Sequence, residues 1–562
     1  MPVTFYKTRA CRQQILLMPA RIDDYVGADN AARAIEAYVE VLDLAKLGFR
    51  HAARVVVAGQ PPYDPADLLK LYLYGYLNQI RSSRRLEREA GRNIELMWLL
   101  GELVPGYRVP GLDPGIAKFR AENAAPLRQV NRDFVLMLRK LGLVGGAMVA
   151  IDGAFFDGNA SKASIVTRER LEGRLVKLDG AIAEMASEIA AAEREAVAYV
   201  AALDANDAAE TQAAEAAAKP RAEAASKHAA LVVKREAVAA DVARLEANGE
   251  TQLSRTDPDA RLLTKSGQSV SGYNIQIAVD AAHKLIVAAE AVNDGNDTGQ
   301  LHAMAQAARA AVGVEKLQAV ADVGYYNGET LKACEDGGIE AFVPEPQRGK
   351  RLEQAGRFGL DAFAYDAGAD AYRCPAGQLL AAMRGGRKDV TGKLRIKYAS
   401  RRFVCSGCAV RTQCLSPQGK RRVIERWEHE AVIERHRARM ANGDDMMRRR
   451  KALAEHPFGT LKCRAGYRHF LVRGLAKVRG ELGLMVLCYN FTRVLNIIGL
   501  KKLVAWLVAR SFWPGIWRLT GVLAALARVL GGFDRWGNEL PAPGGRPLGH
   551  HATLRGHPSF AT

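Results

Sequence analysis

Acid is what this chain has too little of. It carries 61 Asp and Glu against 80 Lys and Arg, a formal charge of +19 at pH 7 over 562 residues. That deficit points to a polyanionic partner, nucleic acid first; the competing reading is a basic protein with no such partner. Cysteine is sparse too, eight in the whole sequence. With no export signal in view, so few thiols imply a reducing compartment and exclude a disulfide framework. The opening Met-Pro-Val-Thr-Phe-Tyr-Lys lacks the apolar core of a signal peptide. The most apolar region, 503–531, is broken by Arg510, Pro514, Arg518 and Arg528, so it reads as amphipathic helices rather than a membrane span. The expectation is a cytoplasmic, nucleoid-associated protein without membrane contact, long enough for roughly two to four domains.

Among the scarce acids, three have suggestive contexts. Asp152 follows Met148-Val-Ala-Ile, Asp322 follows Leu317-Gln-Ala-Val-Ala, and Glu455 opens Glu-His-Pro-Phe-Gly-Thr-Leu-Lys462. The first two each end a short apolar run that reads as a buried strand, with a Gly one or two residues later. Three acids brought together cannot all ionise cheaply. A pair of divalent cations would relieve the repulsion and supply phosphodiester chemistry. Taken singly, each acid is more simply a strand-terminating Asp or a helix-surface Glu; the shared context favours a site. Pro457 and Gly459 place Glu455 at a join between two helices. On a continuous helix, Lys462 would share its face and could hold a phosphate, or be an ordinary solvated charge.

The organisation reads as α/β with helical additions. Residues 1–145 read as a helical N-terminal domain, whose DNA-binding role is what the resemblance given below implies. In it an apolar helix, 66–77, leads to Arg81, Arg84, Arg85 and Arg88, which suit phosphate contacts or an ordinary charged bundle surface. Residues 146–167 begin a mixed-sheet core. An insertion, 168–250, carries Leu171, Leu175, Leu178, Ile182, Met185 and Ile189, then Leu231, Val238, Val242 and Leu245, at heptad spacing. It reads as an antiparallel helical hairpin joined by a polar connection, Asp204–Pro220, and serving as a spacer or dimerisation arm. The core resumes over 251–345, with a hairpin at 272–292, helices at 298–312 and 328–337, and strands at 317–322 and 339–343. This element order resembles a ribonuclease H-like core, in which the strands bearing Asp152 and Asp322 are neighbours. A basic, irregular, cysteine-bearing insertion follows (346–430), then a helical part of the core with Glu455 (431–500), and a helical, then disordered tail (501–562).

In the insertion, Cys374, Cys405, Cys408 and Cys414 have a spacing that can close a tetrahedral zinc site. Arg401, Arg402, Arg411, Lys420, Arg421 and Arg422 crowd it, which suggests a zinc-stabilised knob contacting DNA. The alternative is free thiols in a loop. Cys11, Cys334, Cys463 and Cys488 read as packing residues.

Together these motifs resemble bacterial insertion-sequence transposases of the DDE type, most of all the insertion-sequence 1182 family. The resemblance covers about residues 5–500. It rests on Tyr63-Asp-Pro-Ala-Asp through Leu77, Arg81–Arg88, Arg92-Asn-Ile-Glu through Leu100, Val149–Gly153, Asp257-Pro-Asp259, Gly272–Asp280, Ala321–Asn327, Glu455–Lys462 and Tyr489–Asn496. It implies that Asp152, Asp322 and Glu455 ligate two Mg2+ (or Mn2+) ions. It implies that these ions activate water to cut a strand at each element end, after which the freed 3′-hydroxyl attacks target DNA. It also implies a homodimer or larger synaptic assembly. Related proteins often carry Tyr-x2-Arg-x3-Glu-x6-Lys; here Lys451 stands at the Arg position and Arg448 at the Tyr position. The loop-like Val109–Gly115 also departs from the family, and the tail after about 502 matches nothing in it. Tyr325 and Tyr326, just past Asp322, could stack on a distorted base or simply pack. Asp257, Asp259 and Asp297 are the reserve acids. The rivals are a ribonuclease H-like nuclease without strand transfer and a non-catalytic architectural DNA binder.

Overall fold

The computed structural model describes residues 21–53, 62–107, 115–201, 209–265, 267–346, 354–389 and 392–511. Val109–Asp113, most of the stretch after 502 and Cys11 thus lie outside the described residues, as does the start of the expected hairpin connection.

The N-terminal helices are α1 (Ala31–Glu40), α2 (Pro65–Leu77), α3 (Ser83–Ala90), α4 (Ile94–Leu99), α5 (Ile116–Glu122) and α6 (Ala124–Lys140). Helix α2 is opened by Asp64, whose side chain accepts from the Ala66 N–H, with Pro65 at the first helical position. It is apolar nearly all round and buried nearly all round.

The chain enters the central sheet with β1 (Met148–Asp157), then leaves it for a separate two-stranded sheet, β2 (Ile165–Thr167) with β3 (Gln252–Ser254), which brackets the long helices α7 (Arg168–Ala201) and α8 (Ala209–Asn248). It continues with β4 (Arg261–Lys265), β5 (Gln268–Asp280), β6 (Ile286–Val292), α9 (Leu301–Val312), β7 (Leu317–Val320), α10 (Gly328–Asp336) and β8 (Ile339–Phe342). Strand β5 lies antiparallel between β1 and β6, with β4 also paired to it; β1 runs parallel to β7, and β7 parallel to β8. Central strands buried on both faces explain the unbroken apolar runs.

Helices α7 and α8 pair as an antiparallel hairpin. Three ion pairs, Arg168–Glu246, Asp179–Arg235 and Glu193–Arg221, hold one register along it. Among the described residues its buried cluster is at the base, around Leu171, Val238, Leu245 and Leu253. Because α8 begins at Ala209, most of the stretch expected as a connection is helix instead. Alanine-rich sequence is a strong helix former, which outweighs its polarity.

Residues expected to be irregular form a second, antiparallel sheet: β9 (Ala364–Asp366), β10 (Ala371–Arg373), β11 (Leu379–Ala382), β12 (Arg387–Lys388), β13 (Leu394–Ala399) and β14 (Val423–Trp427). Two short helices, α11 (Arg402–Ser406) and α12 (Arg411–Cys414), interrupt it. Then come α13 (Glu430–Met440), α14 (Asp444–Gly459), a π-helical turn (Thr460–Arg464), α15 (Leu475–Ile498) and α16 (Leu500–Ser511).

Helix α15 is long and apolar enough to cross a membrane, yet 67% of its most apolar stretch is buried inside the protein. It is the shared spine of the molecule. One continuous core joins α1–α6, the Tyr273–Val279 face of β5, β6 and α15. The boundary drawn after residue 145 is therefore not a gap in the packing.

Candidate active site

Two of the three acids meet. The β1–β7 register pairs Ala150 with Val320, and two residues further on it brings Asp152 level with Asp322. A cation already bridges them. Nη2 of Arg450, on α14, lies 3.3 Å from Asp152 Oδ1 and 3.6 Å from Asp322 Oδ2. Leu453 seats α14 on this edge by packing with Met148, Ala150, Val320 and Phe342. Nothing in the sequence marked Arg450; it stands one residue before the Lys451 of the expected pattern. Its Nε is buried without a hydrogen-bond partner among the described residues. Burial pushes the Asp152 carboxyl above its ordinary range, opposed by Arg450 and by the Gly153 N–H, and reinforced by Asp322. Asp322 also accepts from the Gly324 N–H at 2.9 Å.

Asp297 is the reserve acid that joins them. It is buried, and its Oδ1 accepts from Asn274 Nδ2 at 2.8 Å and Gln276 Nε2 at 2.7 Å. Its Oδ2 faces Lys265 at 3.6 Å. Both amides lie on the alternate face of β5 from Tyr273, Ile275 and Ile277, so a strand that looks wholly apolar carries a polar face here. The Tyr325 hydroxyl donates to Gln276 Oε1, tying the Asp322 loop to the same network. Gly153 makes this possible. A Cβ there would come within 2.4 Å of Gln276 Nε2, 2.6 Å of Asp297 Oδ1 and 3.0 Å of the Tyr325 hydroxyl. The other reserve acids are elsewhere: Asp257 accepts from the Tyr273 hydroxyl and the Gly474 N–H, and Asp259 from the Leu475 N–H, so they fasten the start of α15.

Glu455 lies on α14, which packs against β1 and β7, and it is exposed. It makes no hydrogen bond or ion pair among the described residues. Among those residues no group of three or more His, Cys, Asp or Glu side chains stands ready to hold a metal ion. The donor set still suits a hard cation, for two carboxylates converge on one positive group. The expected helix join after Glu455 is absent: α14 runs through Pro457, and a π turn carries it to Arg464.

Several expected DNA contacts are used internally. Arg81 is buried, donating to Glu481 Oε1 at 3.2 Å and to the carbonyls of Gly466 and His469. Tyr325 is fully buried and cannot stack on a base. Tyr326 is half-buried against His436, with Glu345 and Arg437 beside its hydroxyl. The Lys462 ammonium donates to the Phe155 carbonyl at 2.7 Å over the Phe156 ring, and burial lowers its pKa. Arg411 and Arg422 bond the carbonyls of Cys405 and Cys414. Arg84, Arg85, Arg88 and Arg401 are exposed, Arg84 over the Tyr107 ring. The side chain of Arg402 lies outside the described residues. Cys374, Cys405, Cys408 and Cys414 line one small cavity.

Two family models match the chain, a transposase DDE domain over residues 373–495 and a transposase domain over residues 20–120. No curated protein and no solved structure matches it. The first match spans the cysteine cavity, Arg450 and Glu455, and the second spans helices α1–α4, so that together they indicate a transposase family of the DDE type.

Proposed function

We propose that this chain is an insertion-sequence transposase of the 1182 type, with a ribonuclease H-like core, that binds the ends of its element, cuts DNA strands and joins them to a target. The observation that carries the reading is the pair Asp152 and Asp322 on adjacent parallel strands, gathered by one guanidinium. The strand arrangement β6–β5–β1–β7–β8 supports the core assignment.

Asp152 and Asp322 would hold Mg2+ or Mn2+, with Glu455 as third ligand after its side chain turns inward. Two such ions, when bound, would polarise water and stabilise the leaving oxygen of a phosphodiester. The protein's own part is positioning. Asp297, Gln276 and Tyr325 brace the Asp322 loop beneath β1, and Arg450 neutralises the acid pair until DNA and metal replace it. The +19 charge favours DNA as partner. A synaptic dimer and a cytoplasmic, nucleoid-associated location accompany this reading.

The test is nicking of supercoiled DNA carrying the element's own ends. Wild-type protein should nick only with Mg2+ or Mn2+ and should yield joined products. Asp152→Asn, Asp322→Asn and Glu455→Gln should each abolish nicking while retaining end binding. Nicked but never joined products would favour a nuclease. Undiminished nicking by the Asp152 or Asp322 variant would exclude this site.

A further inference from the structure

We propose that Cys374, Cys405, Cys408 and Cys414 form a structural zinc site that folds the second-sheet lobe, independently of the chemistry at Asp152 and Asp322. The four thiols come from three separate pieces of chain: the β10–β11 turn, α11 with the residues after it, and the end of α12. They meet around one cavity of about 20 Å³, room for a single ion or water. The same cavity is lined by Leu380, Val404 and Leu415, so the four sulfurs share a largely apolar pocket.

Hydrogen-bond donors and cations stand around the sulfurs. The Cys374 turn closes by Cys374 N–H to the Gln378 carbonyl at 2.9 Å and Gly377 N–H to the Cys374 carbonyl at 2.8 Å. Gly377 takes φ +76°, a left-handed value suited to glycine. This turn aims the Gln378 N–H at Cys374 Sγ, 3.3 Å away. The Ser400 hydroxyl lies 2.8 Å from Cys405 Sγ. Arg411 and Arg422 grip the backbone carbonyls of Cys405 and Cys414, so two guanidiniums stand beside the cluster. Zinc with four thiolates carries a charge of about −2, which two such cations offset.

The lobe's core is small. Among the described residues its buried apolar cluster is Phe363, Tyr372, Leu380, Tyr398 and Ile424, with Phe358, Tyr365 and Ile396 half-buried against it. So small a core is commonly completed by a metal or a disulfide. The thiols line the cavity without forming a ready-made metal group, so the ion's role would be to draw them to about 2.3 Å from a common centre.

The experiment uses the full chain, purified from zinc-supplemented medium. Elemental analysis should give one zinc per chain. After chelation, Co2+ should bind and show the intense thiolate charge-transfer absorption and visible bands of a tetrahedral four-sulfur site. Cys408→Ser should lose zinc, whereas Cys463→Ser, at an exposed thiol, should keep it. Should the Cys408 variant be insoluble, the wild-type cobalt spectrum decides. Absence of zinc, a cobalt spectrum without thiolate bands, or loss of titratable thiols without metal (a disulfide) would each overturn the proposal. None of these readouts depends on nicking.

Discussion

Arg450 places Nη2 3.3 Å from Asp152 Oδ1, and the same nitrogen reaches Asp322. On the proposed reading, this guanidinium competes with the divalent cation that the two carboxylates would hold. The two cations cannot both sit there without strong repulsion. Arg450→Gln should therefore tighten Mn2+ binding in the absence of DNA, by roughly tenfold if about 1.4 kcal/mol of competition is removed. Calorimetric titration of both proteins with Mn2+ checks it. Weaker binding in the variant would mean that Arg450 orients the acids rather than competing for them.

Asp297 makes a separate prediction, because it reaches the site through Asn274, Gln276 and Tyr325. Asp297→Asn keeps the size of the side chain and an oxygen for Asn274 and Gln276, but removes the charge and turns an amide nitrogen towards Lys265. The Mg2+ concentration needed for half-maximal nicking should rise by roughly 10–100-fold, a range typical of groups that orient ligands. Affinity for end DNA should not change. A lowered melting temperature with normal Mg2+ dependence would reduce Asp297 to a packing residue.

The sequence made some of this site legible and concealed the rest for physical reasons. Asp152 and Asp322 were visible because each follows a short apolar run, although β1 does not stop at Asp152 but continues, half-buried through Phe155, to Asp157. Asp297 could be named only as a reserve, since its partners Asn274 and Gln276 alternate with Tyr273, Ile275 and Ile277 inside one buried strand. Arg450 was hidden among Arg448, Arg449 and Lys451, where only the packing of α14 decides which cation turns inward. The second sheet escaped because its strands are only two to six residues long and rich in charge, too short for a periodic signal. Arg81 misled for a different reason. Its partner Glu481 is 400 residues away, and local sequence carries no trace of it.

That pair also makes a prediction about stability in acid. Burial alone would raise the Glu481 carboxyl, but Arg120 and Arg81 outweigh it, with help from the Tyr76 hydroxyl and the Leu471 N–H, and hold it below its ordinary range. A lowered acid contributes stability that is present above its unfolded value, near about 4.3. That stability is lost as pH falls through the folded value. Glu481→Gln should cost about 3–5 kcal/mol at pH 7 by leaving two buried guanidiniums uncompensated. Below pH ~4 the gap between variant and wild type should narrow. Thermal melts from pH 3 to pH 8 check both statements. A gap that does not depend on pH would mean that Glu481 contributes through shape rather than charge.

With Arg81 committed to Glu481, the phosphate contacts expected near α3 must fall to Arg84, Arg85 and Arg88, which are exposed on that helix. Each phosphate neutralised releases counterions, so log affinity falls with log salt at a slope near roughly −0.9 per contact. Replacing Arg84 and Arg85 with Ala should weaken end binding and flatten the slope by up to about two units. Arg81→Ala should instead lower the melting temperature, because it leaves Glu481 charged and buried beside Arg120 alone. Binding measured by fluorescence anisotropy from 50 to 300 mM salt (about a sixfold range) separates the two behaviours. If the double variant kept the wild-type slope, the α3 arginines would not face phosphate, and the DNA surface would lie around Arg401 on the second-sheet lobe.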